Sequence, residues 1–252
     1  MIGSFLNVLI YRLEVGDSAF RGRSYCPHCK HALAWYDLIP LVSFVLLHRR
    51  CRYCKKSIAW QYPLVEASTA ILFLLIFNHQ SLIFDEFSSL LIFNLAYFWI
   101  VAASLIVLFV YDLKHYILPD KILIPIIGLA LFYQIFIWIL VWIPAPLVQS
   151  LLSALGAASF FFAVFAVSRG RAMGFGDVKL AAFMGLFLGW PNIFVALFAA
   201  FTLGGVVGTA LILTKRKGMK SVVPFGPFLI TGMFIALFWG KSIADWYWNV
   251  IY

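Results

Sequence analysis

The chain has 252 residues, of which 64% are hydrophobic and 12% are charged, and its formal net charge is +9. A soluble domain carries about twice that charged fraction, so the composition excludes an ordinary soluble protein. Several apolar stretches approach or exceed the ~20 residues that cross a bilayer core. They indicate an all-α polytopic membrane protein with about seven to eight transmembrane helices.

The first stretch, 1–12, is apolar but short. About 11 helical residues span ~17 Å, whereas the hydrocarbon core is ~30 Å thick. We therefore expect a truncated first transmembrane segment that lacks its outer half. No basic region precedes the apolar residues, which argues against a cleaved signal peptide.

The next segment, 13–62, carries all four cysteines in the pattern C-x2-C-x21-C-x2-C. Two such pairs supply four thiolates in tetrahedral geometry, which suits a structural zinc ion, and a basic loop favours the thiolate form. A loop of ~50 residues with few large apolar side chains needs a cross-link of this kind to hold its shape. The predicted ligands are Cys26, Cys29, Cys51 and Cys54.

Two alternatives to this zinc loop follow from the same cysteines. One is a redox-active C-x-x-C pair, although two matched pairs fit a metal better than a dithiol relay. The other is an empty or degenerate site, in which a nearby histidine replaces a thiolate; the loop offers His28, His31 and His48.

Residues 63–252 are predicted to form a membrane-embedded core, with apolar runs at 64–77, 87–111, 122–143, 145–168, 178–190, 193–213 and 228–240. Threading the chain through these runs places nearly all of the 19 Lys and Arg on one side, in the segments 12–56, 114–121, 169–179 and 215–220. This is the positive-inside pattern, so these segments are expected to be cytoplasmic. The basic excess then needs only anionic inner-leaflet lipids as a partner, and no nucleic acid is expected.

Four of the ten carboxylates stand at the cytoplasmic edges of apolar runs, namely Glu66, Asp112, Asp120 and Asp177. Asp112 and Asp177 are the functional candidates among them, because a carboxylate at bilayer depth is expensive. Asp112 closes one helix, and Asp177 follows Gly174-Phe175-Gly176 and opens another. Two carboxylates that share a site cannot both ionise easily, so one keeps a proton and the pair can activate water. We expect an aspartic protease pair, and the alternative for the second motif is a flexible hinge with an N-cap aspartate.

The expected roles of the two aspartates are unequal. A helix N-terminus favours the anion at Asp177, whereas a helix C-terminus disfavours it at Asp112, so Asp112 is expected to hold the shared proton more often. Gly174 and Gly176 are expected to permit unusual backbone dihedrals and the close approach of a substrate strand.

Other residues are weaker candidates for contacts with a substrate or a methyl donor. Glu66 is either a helix-start carboxylate, a partner of Arg12 or a substrate contact, and Asn7 is similarly open. Asp120 is expected to be an N-cap or loop charge. The stretch "VVPFGPF" predicts an irregular re-entry into the membrane that either forms one wall of the site or is a plain loop stop. The candidates from these stretches are Asn7, Arg12, Glu66, Lys179, Pro224 and Gly226.

Almost the whole chain resembles the type IV prepilin peptidases, also called leader peptidase/N-methyltransferases, of the GxGD aspartic protease clan. The resemblance rests on "GSFLNVLIYRL", "CPHC", "CRYC", "DLIPLVSF", "QYPLVE", "DLKHYILPD", "GFGDVKLAA" and "PFGPF". It implies a bacterial inner-membrane enzyme that cuts prepilins or pseudopilins of type IV pilus and type II secretion systems at the cytoplasmic face. It also implies N-methylation of the new N-terminus with S-adenosylmethionine. The catalytic pair would be Asp112 and Asp177.

Three other functions compete with this interpretation. A proton-coupled transporter would use Asp112 and Asp177 as a relay, but it predicts polar residues deeper inside the spans. A zinc-loop membrane scaffold leaves the glycines and the second aspartate unexplained. A membrane thiol oxidoreductase would need accessible thiols of low pKa and would tolerate the loss of both aspartates.

Overall fold

The computed structural model describes residues 1–18, 22–81, 89–171, 173–214 and 223–251. The basic segment 215–220, expected from the sequence to be cytoplasmic, lies outside these residues, as does the connection that carries Asp85 and Glu86. The chain divides into two compact units, Met1–Val107 and Leu108–Tyr252. The boundaries predicted at residues 12 and 62 remain a prediction.

The described residues are helical apart from turns and two isolated β-bridges. A short 3-10 helix, Trp35–Leu38, precedes α2. The α-helices are α1 Ile2–Val15, α2 Val42–Leu46, α3 Gln61–Ser81, α4 Ser89–His115, α5 Asp120–Val141, α6 Ala145–Ser168, α7 Phe175–Leu188, α8 Asn192–Leu213 and α9 Gly226–Ile251.

Six of the helices in the described ranges, α3 to α6, α8 and α9, are long and apolar enough to cross a membrane. The expected multi-pass, all-α architecture is therefore confirmed. The other two apolar helices, α1 and α7, have 14 residues each. Fourteen helical residues span about 21 Å, which is less than a ~30 Å hydrocarbon core.

Prolines and charges mark where several helices begin. α3 has Pro63 in its first turn, and α6 begins directly after Pro144. Proline is tolerated there because the first turn has no intrahelical partner for its missing N–H. α5 begins at Asp120, where a carboxylate faces the positive end of the helix dipole.

In the first unit, α1 packs against α3. The contact is close because Gly3 presents no side chain: a Cβ there would lie 2.8 Å from the Cα of Glu66. The cysteine loop connects these two helices, so their packing also fixes the two ends of the loop.

In the second unit, α7 runs antiparallel to α6. The Phe165 and Phe175 rings are 5.6 Å apart near the start of α7, and Gly189, just after its end, lies near Ser150. α7 also contacts α5, α8 and α9, and most of its residues are buried. The short helix thus follows much of the length of a membrane-spanning neighbour and forms the centre of this unit.

The contact between α6 and α7 depends on Gly185. A Cβ at this position would lie 2.5 Å from both the Cα of Ala154 and the carbonyl oxygen of Ser153. Backbone atoms cannot move aside as a flexible side chain can, so an added methyl group forces the helices apart.

We expect Gly185→Ala to lower the thermal unfolding midpoint by several degrees, because overpacking of this kind costs about 1–3 kcal/mol. Gly156→Ala is the matched control, since Gly156 lies in α6 and nothing stands within 4 Å of its Cβ position. Thermal unfolding of the detergent-solubilised protein measures both. An equal loss in the two variants would show that the α6–α7 contact is not the cause.

Candidate active site and metal centre

Asp112 lies in the last turn of α4 and is only 5% exposed. The backbone N–H of Gly226, the first residue of α9, donates a hydrogen bond to its carboxyl group. Within the described part of the chain, its Oδ2 atom has no hydrogen-bond partner. Asp112 therefore has an oxygen free to bond a molecule that enters the site.

Asp177 is the third residue of α7 and is 7% exposed. Gly174 is the N-cap residue, and its N–H donates to the Asp177 Oδ2 at 3.2 Å. The Asp177 N–H in turn donates to the Gly174 carbonyl oxygen at 3.2 Å. The N-cap role considered for Asp177 from the sequence is thus wrong. Gly174 is the N-cap residue, and Asp177 lies three positions later, where its side chain accepts the Gly174 N–H as in a capping box.

The two carboxyl groups lie close enough for the charge of Asp112 to act on Asp177. Among the described residues no cation forms an ion pair with either of them. Two buried carboxylates without a counter-ion repel each other, so a shared proton stabilises the pair. This is the electrostatic arrangement that an aspartic peptidase requires.

Asp112 lies beside the ends of two helices, which bears on the unequal roles expected for the two aspartates. The sequence shows that Asp112 lies near the C-terminus of its own helix, but it does not show the N-terminus of α9 beside the carboxyl group. Each aspartate accepts an N–H from the start of a helix, Asp112 from α9 and Asp177 from α7. The two carboxyl groups are thus alike in facing the positive end of a helix dipole. The assignment of the shared proton to Asp112 remains a prediction.

The glycines before Asp177 do not have the unusual dihedrals that were expected. Gly174 adopts an ordinary extended conformation, with φ −79° and ψ 157°, and Gly176 is not among the residues with positive φ. A Cβ on Gly174 would meet nothing closer than 3.9 Å, whereas one on Gly176 would lie 3.1 Å from the Cβ of Leu118. Gly176 is therefore tightly packed against Leu118, and its backbone conformation does not call for glycine.

Gly226 is required by the carboxyl group itself. A Cβ there would lie 2.5 Å from the Asp112 Oδ2. Pro224 is half-buried and precedes α9, and the intervening Phe225 packs against Phe161 and Phe201 at ring distances of 6.2 and 5.2 Å. These rings hold the segment that delivers the Gly226 N–H to Asp112.

Lys179 forms an ion pair with Asp120. Its Nζ lies 2.7 and 2.8 Å from the two Asp120 carboxylate oxygens, and it also lies 5.3 Å from the Phe175 ring centroid. The two charges, considered separately from the sequence, thus tie the start of α5 to the first turn of α7.

The remaining polar candidates lie in the first unit and bond to its backbone. Asn7 donates to the carbonyl oxygens of Gly3 and Tyr62 at 3.3 and 3.1 Å. Arg12 donates to carbonyl oxygens of the cysteine loop, those of Ser18, Gly22 and Arg23. Glu66 accepts the N–H of Leu41 at 2.8 Å. All three join the loop or α3 to neighbouring backbone.

Sequence reasoning missed Leu118, which is buried and packs against Gly176 next to Asp177. It also overlooked Phe225 as the anchor beside Gly226. One signal was available for Leu118: it is an apolar residue in the charged connection between α4 and α5, within the "ILPD" stretch.

The four cysteine Sγ atoms lie within 4.8 Å of one another and could hold a metal ion. The two pairs sit in matching turns: Lys30 N–H donates to the Cys26 carbonyl oxygen at 2.9 Å, and Lys55 N–H donates to that of Cys51 at 3.0 Å. Both lysines have left-handed φ values of 57° and 59°. Among the described residues, this is the only cluster that could hold a metal, and His28, His31 and His48 are not in it.

The thiols of this cluster differ in acidity. Burial raises the pKa of Cys26, but hydrogen bonds from the Cys29 and His28 backbone and from neighbouring thiols outweigh it and lower the pKa to about 7. At Cys54, the Lys56 N–H lowers the pKa, but burial and the other three thiols raise it to about 11. The first thiol to ionise is therefore Cys26, and its negative charge opposes ionisation of the others. A bound metal cation would remove this opposition and favour the thiolate form of all four.

Comparison with known proteins gives two family matches. The bacterial peptidase A24 N-terminal domain matches residues 1–80, and the type IV leader peptidase family matches residues 99–209. A prepilin leader peptidase/N-methyltransferase from Aeromonas hydrophila is 31% identical, over 98% of this chain and 90% of that protein. The chain belongs to the type IV leader peptidase family. The resemblance noted in the sequence is thereby confirmed.

Other members of the type IV leader peptidase family show the same extent of similarity. A protein of the same description from Legionella pneumophila is 32% identical, over 98% of this chain and 90% of its own length. No solved structure matches the chain. The N-terminal match contains the four cysteines, and the second match contains Asp112 and Asp177 but ends before Gly226.

We expect the purified protein to contain about one bound metal ion per chain, as tetrahedral four-cysteine sites do. Cys26→Ser should lose that metal, whereas His48→Ala should keep it, because His48 is outside the cluster. Metal should also dissociate as the pH falls well below the Cys26 pKa of about 7, since protonated thiols do not bind. Metal analysis after dialysis at several pH values tests this, and metal loss from His48→Ala would contradict it.

Proposed function

We propose that the chain is a membrane aspartic endopeptidase that removes the leader peptide from type IV prepilins or pseudopilins. We also propose that it N-methylates the new N-terminal residue. The observation that carries the peptidase is the buried, mutually interacting pair Asp112 and Asp177. The names of the relatives, prepilin leader peptidase/N-methyltransferase, support both the substrate and the second activity.

In the proposed mechanism the two aspartates share one proton. The ionised carboxylate takes a proton from a water molecule, whose oxygen attacks the carbonyl carbon of the scissile peptide bond. The protonated carboxyl group donates its proton to the carbonyl oxygen. The tetrahedral intermediate then collapses. The C–N bond breaks, the nitrogen takes the proton that the first carboxylate had accepted from water, and the other carboxylate recovers a proton from a hydroxyl group of the intermediate. A leader carboxylic acid and a new pilin amine are released, and the pair again holds one proton.

The backbone donors fix the two carboxyl groups for this reaction. Gly226 N–H holds Asp112, and Gly174 N–H holds Asp177, so both side chains keep one orientation as the proton moves between them. Asp112 Oδ2 retains its hydrogen-bonding capacity for the water or the substrate carbonyl group. Prepositioned groups of this kind lower the barrier because little reorganisation is needed during the reaction.

The position of the pair suits a substrate with a basic leader followed by an apolar helix. Such a helix partitions into the bilayer, which brings its start to the interface. Asp112 lies three residues before the end of α4, at one end of a membrane-spanning helix. The enzyme is itself basic, so recognition is proposed to rest on the apolar helix and local carboxylates and not on net-charge attraction.

We propose that the protein lies in the bacterial inner membrane with its cysteine loop and active site facing the cytoplasm. The asymmetric distribution of its 19 Lys and Arg supports this orientation.

The proposed metal is zinc. Four thiolates at a Zn–S distance of ~2.3 Å in a tetrahedron lie about 3.8 Å apart. The Cys26 and Cys54 sulfur atoms are 3.9 Å apart, which fits this arrangement. Zinc would cross-link two halves of a loop in which few large side chains are buried.

S-adenosylmethionine is the proposed methyl donor, and it supplies an activated methyl group for the new amine. Asn7, Arg12 and Glu66 stay predictions as donor contacts. Their observed hydrogen bonds are to backbone of the same unit, so no step of the methyl transfer is assigned to them.

We expect Asp112→Asn and Asp177→Asn each to reduce prepilin cleavage at least ~1,000-fold, because either change removes half of the acid–base pair. Asp245→Asn, which alters an exposed carboxylate of α9 away from the pair, is the comparison and should keep the wild-type rate of cleavage. Cleavage of a prepilin in membranes, at matched enzyme levels, measures this.

Methyl transfer from labelled S-adenosylmethionine to a pre-cleaved pilin should persist in both Asn variants, which would separate the two activities. Full-rate cleavage by either variant would refute the two-aspartate mechanism.

A further inference from the structure

The segment Leu118–Asp120 leaves the end of α4 and contacts α7 on both sides of Asp177. The chain turns directly after Asp112: Tyr116 has a left-handed φ of 58°, and its N–H donates to the Asp112 carbonyl oxygen at 2.9 Å. Leu118 follows two residues later. The polypeptide that carries one catalytic aspartate therefore reaches the helix that carries the other within a few residues.

The first contact is apolar. Leu118 is 7% exposed, although it lies in a connection between helices. Its Cβ would lie 3.1 Å from a Cβ on Gly176, and its Cδ2 would lie 3.4 Å from a Cβ on Gly226. The leucine side chain thus occupies the space between the residue preceding Asp177 and the residue whose N–H holds Asp112.

The second contact is ionic. Asp120 binds Lys179 through both carboxylate oxygens, at 2.7 and 2.8 Å. Lys179 is two residues after Asp177, whereas Gly176 is immediately before it. The start of α7 is therefore contacted on both sides of the catalytic residue, by Leu118 before it and by Asp120 after it. Pro119 between them has its φ set by its ring, which stiffens the segment.

We propose that Leu118 and Asp120 are positioning residues that set the placement of Asp177 relative to Asp112. The proposal rests on the proposed peptidase function of that pair. Leu118 fixes the separation between Gly176 and Gly226, and the Asp120–Lys179 pair prevents the first turn of α7 from rotating. Catalytic groups must be held within about 0.5 Å, and a misplacement of about 1 Å can cost a hundredfold in rate.

A general contribution to stability is the competing explanation, and it makes different kinetic predictions. A positioning residue affects kcat with little change in KM, because substrate binding is retained while the pair is misaligned. A residue that only stabilises the fold changes the amount of active enzyme and leaves the kinetic constants of the folded fraction unchanged.

The first test compares three leucine substitutions in full-length enzyme in membranes. Leu118→Ala should lower kcat for prepilin cleavage by about ten- to a hundredfold with KM unchanged. Leu118→Met should retain most of kcat, because it restores side-chain volume. Leu186→Ala is the control, since Leu186 is equally buried in α7 but nine residues beyond Asp177, and its kcat per folded enzyme should match wild type.

The second test uses the steric contact. Gly176→Ala should be impaired, and adding Leu118→Gly should restore part of its kcat, because this change removes the Leu118 Cβ at 3.1 Å together with the Cδ1 and Cγ atoms at 3.4 and 3.6 Å. Gly226→Ala should not be restored by Leu118→Gly, because its nearest obstacle is the Asp112 Oδ2 at 2.5 Å. Equal restoration of both, or of neither, would overturn the proposed spacer role.

The third test is a double-mutant cycle on the ion pair. Asp120→Asn and Lys179→Gln should each lower kcat, and the double variant should be no worse than the more impaired single variant. If the two losses in kcat add in the double variant, Asp120 and Lys179 act independently, and the proposed role of their ion pair is overturned.

Wild-type enzyme that fails to cut prepilin would refute the proposed function. Wild-type enzyme that cuts, with Leu118→Ala unchanged in kcat, would refute the positioning role alone.

Discussion

Keeping two carboxyl groups out of water, near each other and without a counter-ion, is the constraint that shapes the second unit. Each ionised carboxylate loses hydration on burial, and the two repel if both are charged. Backbone N–H groups at the starts of α7 and α9 offset part of this cost, because each donates a hydrogen bond to one of the two carboxyl groups. The central position of α7, the close α6–α7 packing and the glycine at residue 226 all serve to bring these groups together.

The chemistry of the site was easier to predict than its architecture. Asp112 and Asp177 stand out because carboxylates at membrane edges are rare and expensive, and the cysteines stand out through their spacing. Such signals need only local sequence. The Gly226 N–H at Asp112 joins residues 114 positions apart, and no local pattern reveals such a bond. For the same reason the sequence shows one helix end at Asp112, whereas the structure places two there, the C-terminus of α4 and the N-terminus of α9.

The glycines show the limit of arguing from residue type. A glycine next to a candidate catalytic residue suggests special backbone dihedrals, but what distinguishes Gly176 in the structure is its tight packing against Leu118. Sequence indicates that a position is glycine and does not say which atom opposes a Cβ. Charged residues were ambiguous in the same way. From the sequence, Lys179 was a candidate contact for a substrate or methyl donor and Asp120 an N-cap or loop charge, whereas the structure places the Lys179 Nζ 2.7 Å from an Asp120 carboxylate oxygen.

The hydrogen bond from α9 to Asp112 has a consequence for biosynthesis. Gly226 belongs to the last helix, so a chain still emerging from the ribosome holds Asp112 and Asp177 without the donor that orients one of them. Domains assemble from the N-terminus during synthesis, and here the final helix completes the reactive pair. A chain made in this order therefore acquires the donor that orients Asp112 only when its last helix packs against the rest of the unit.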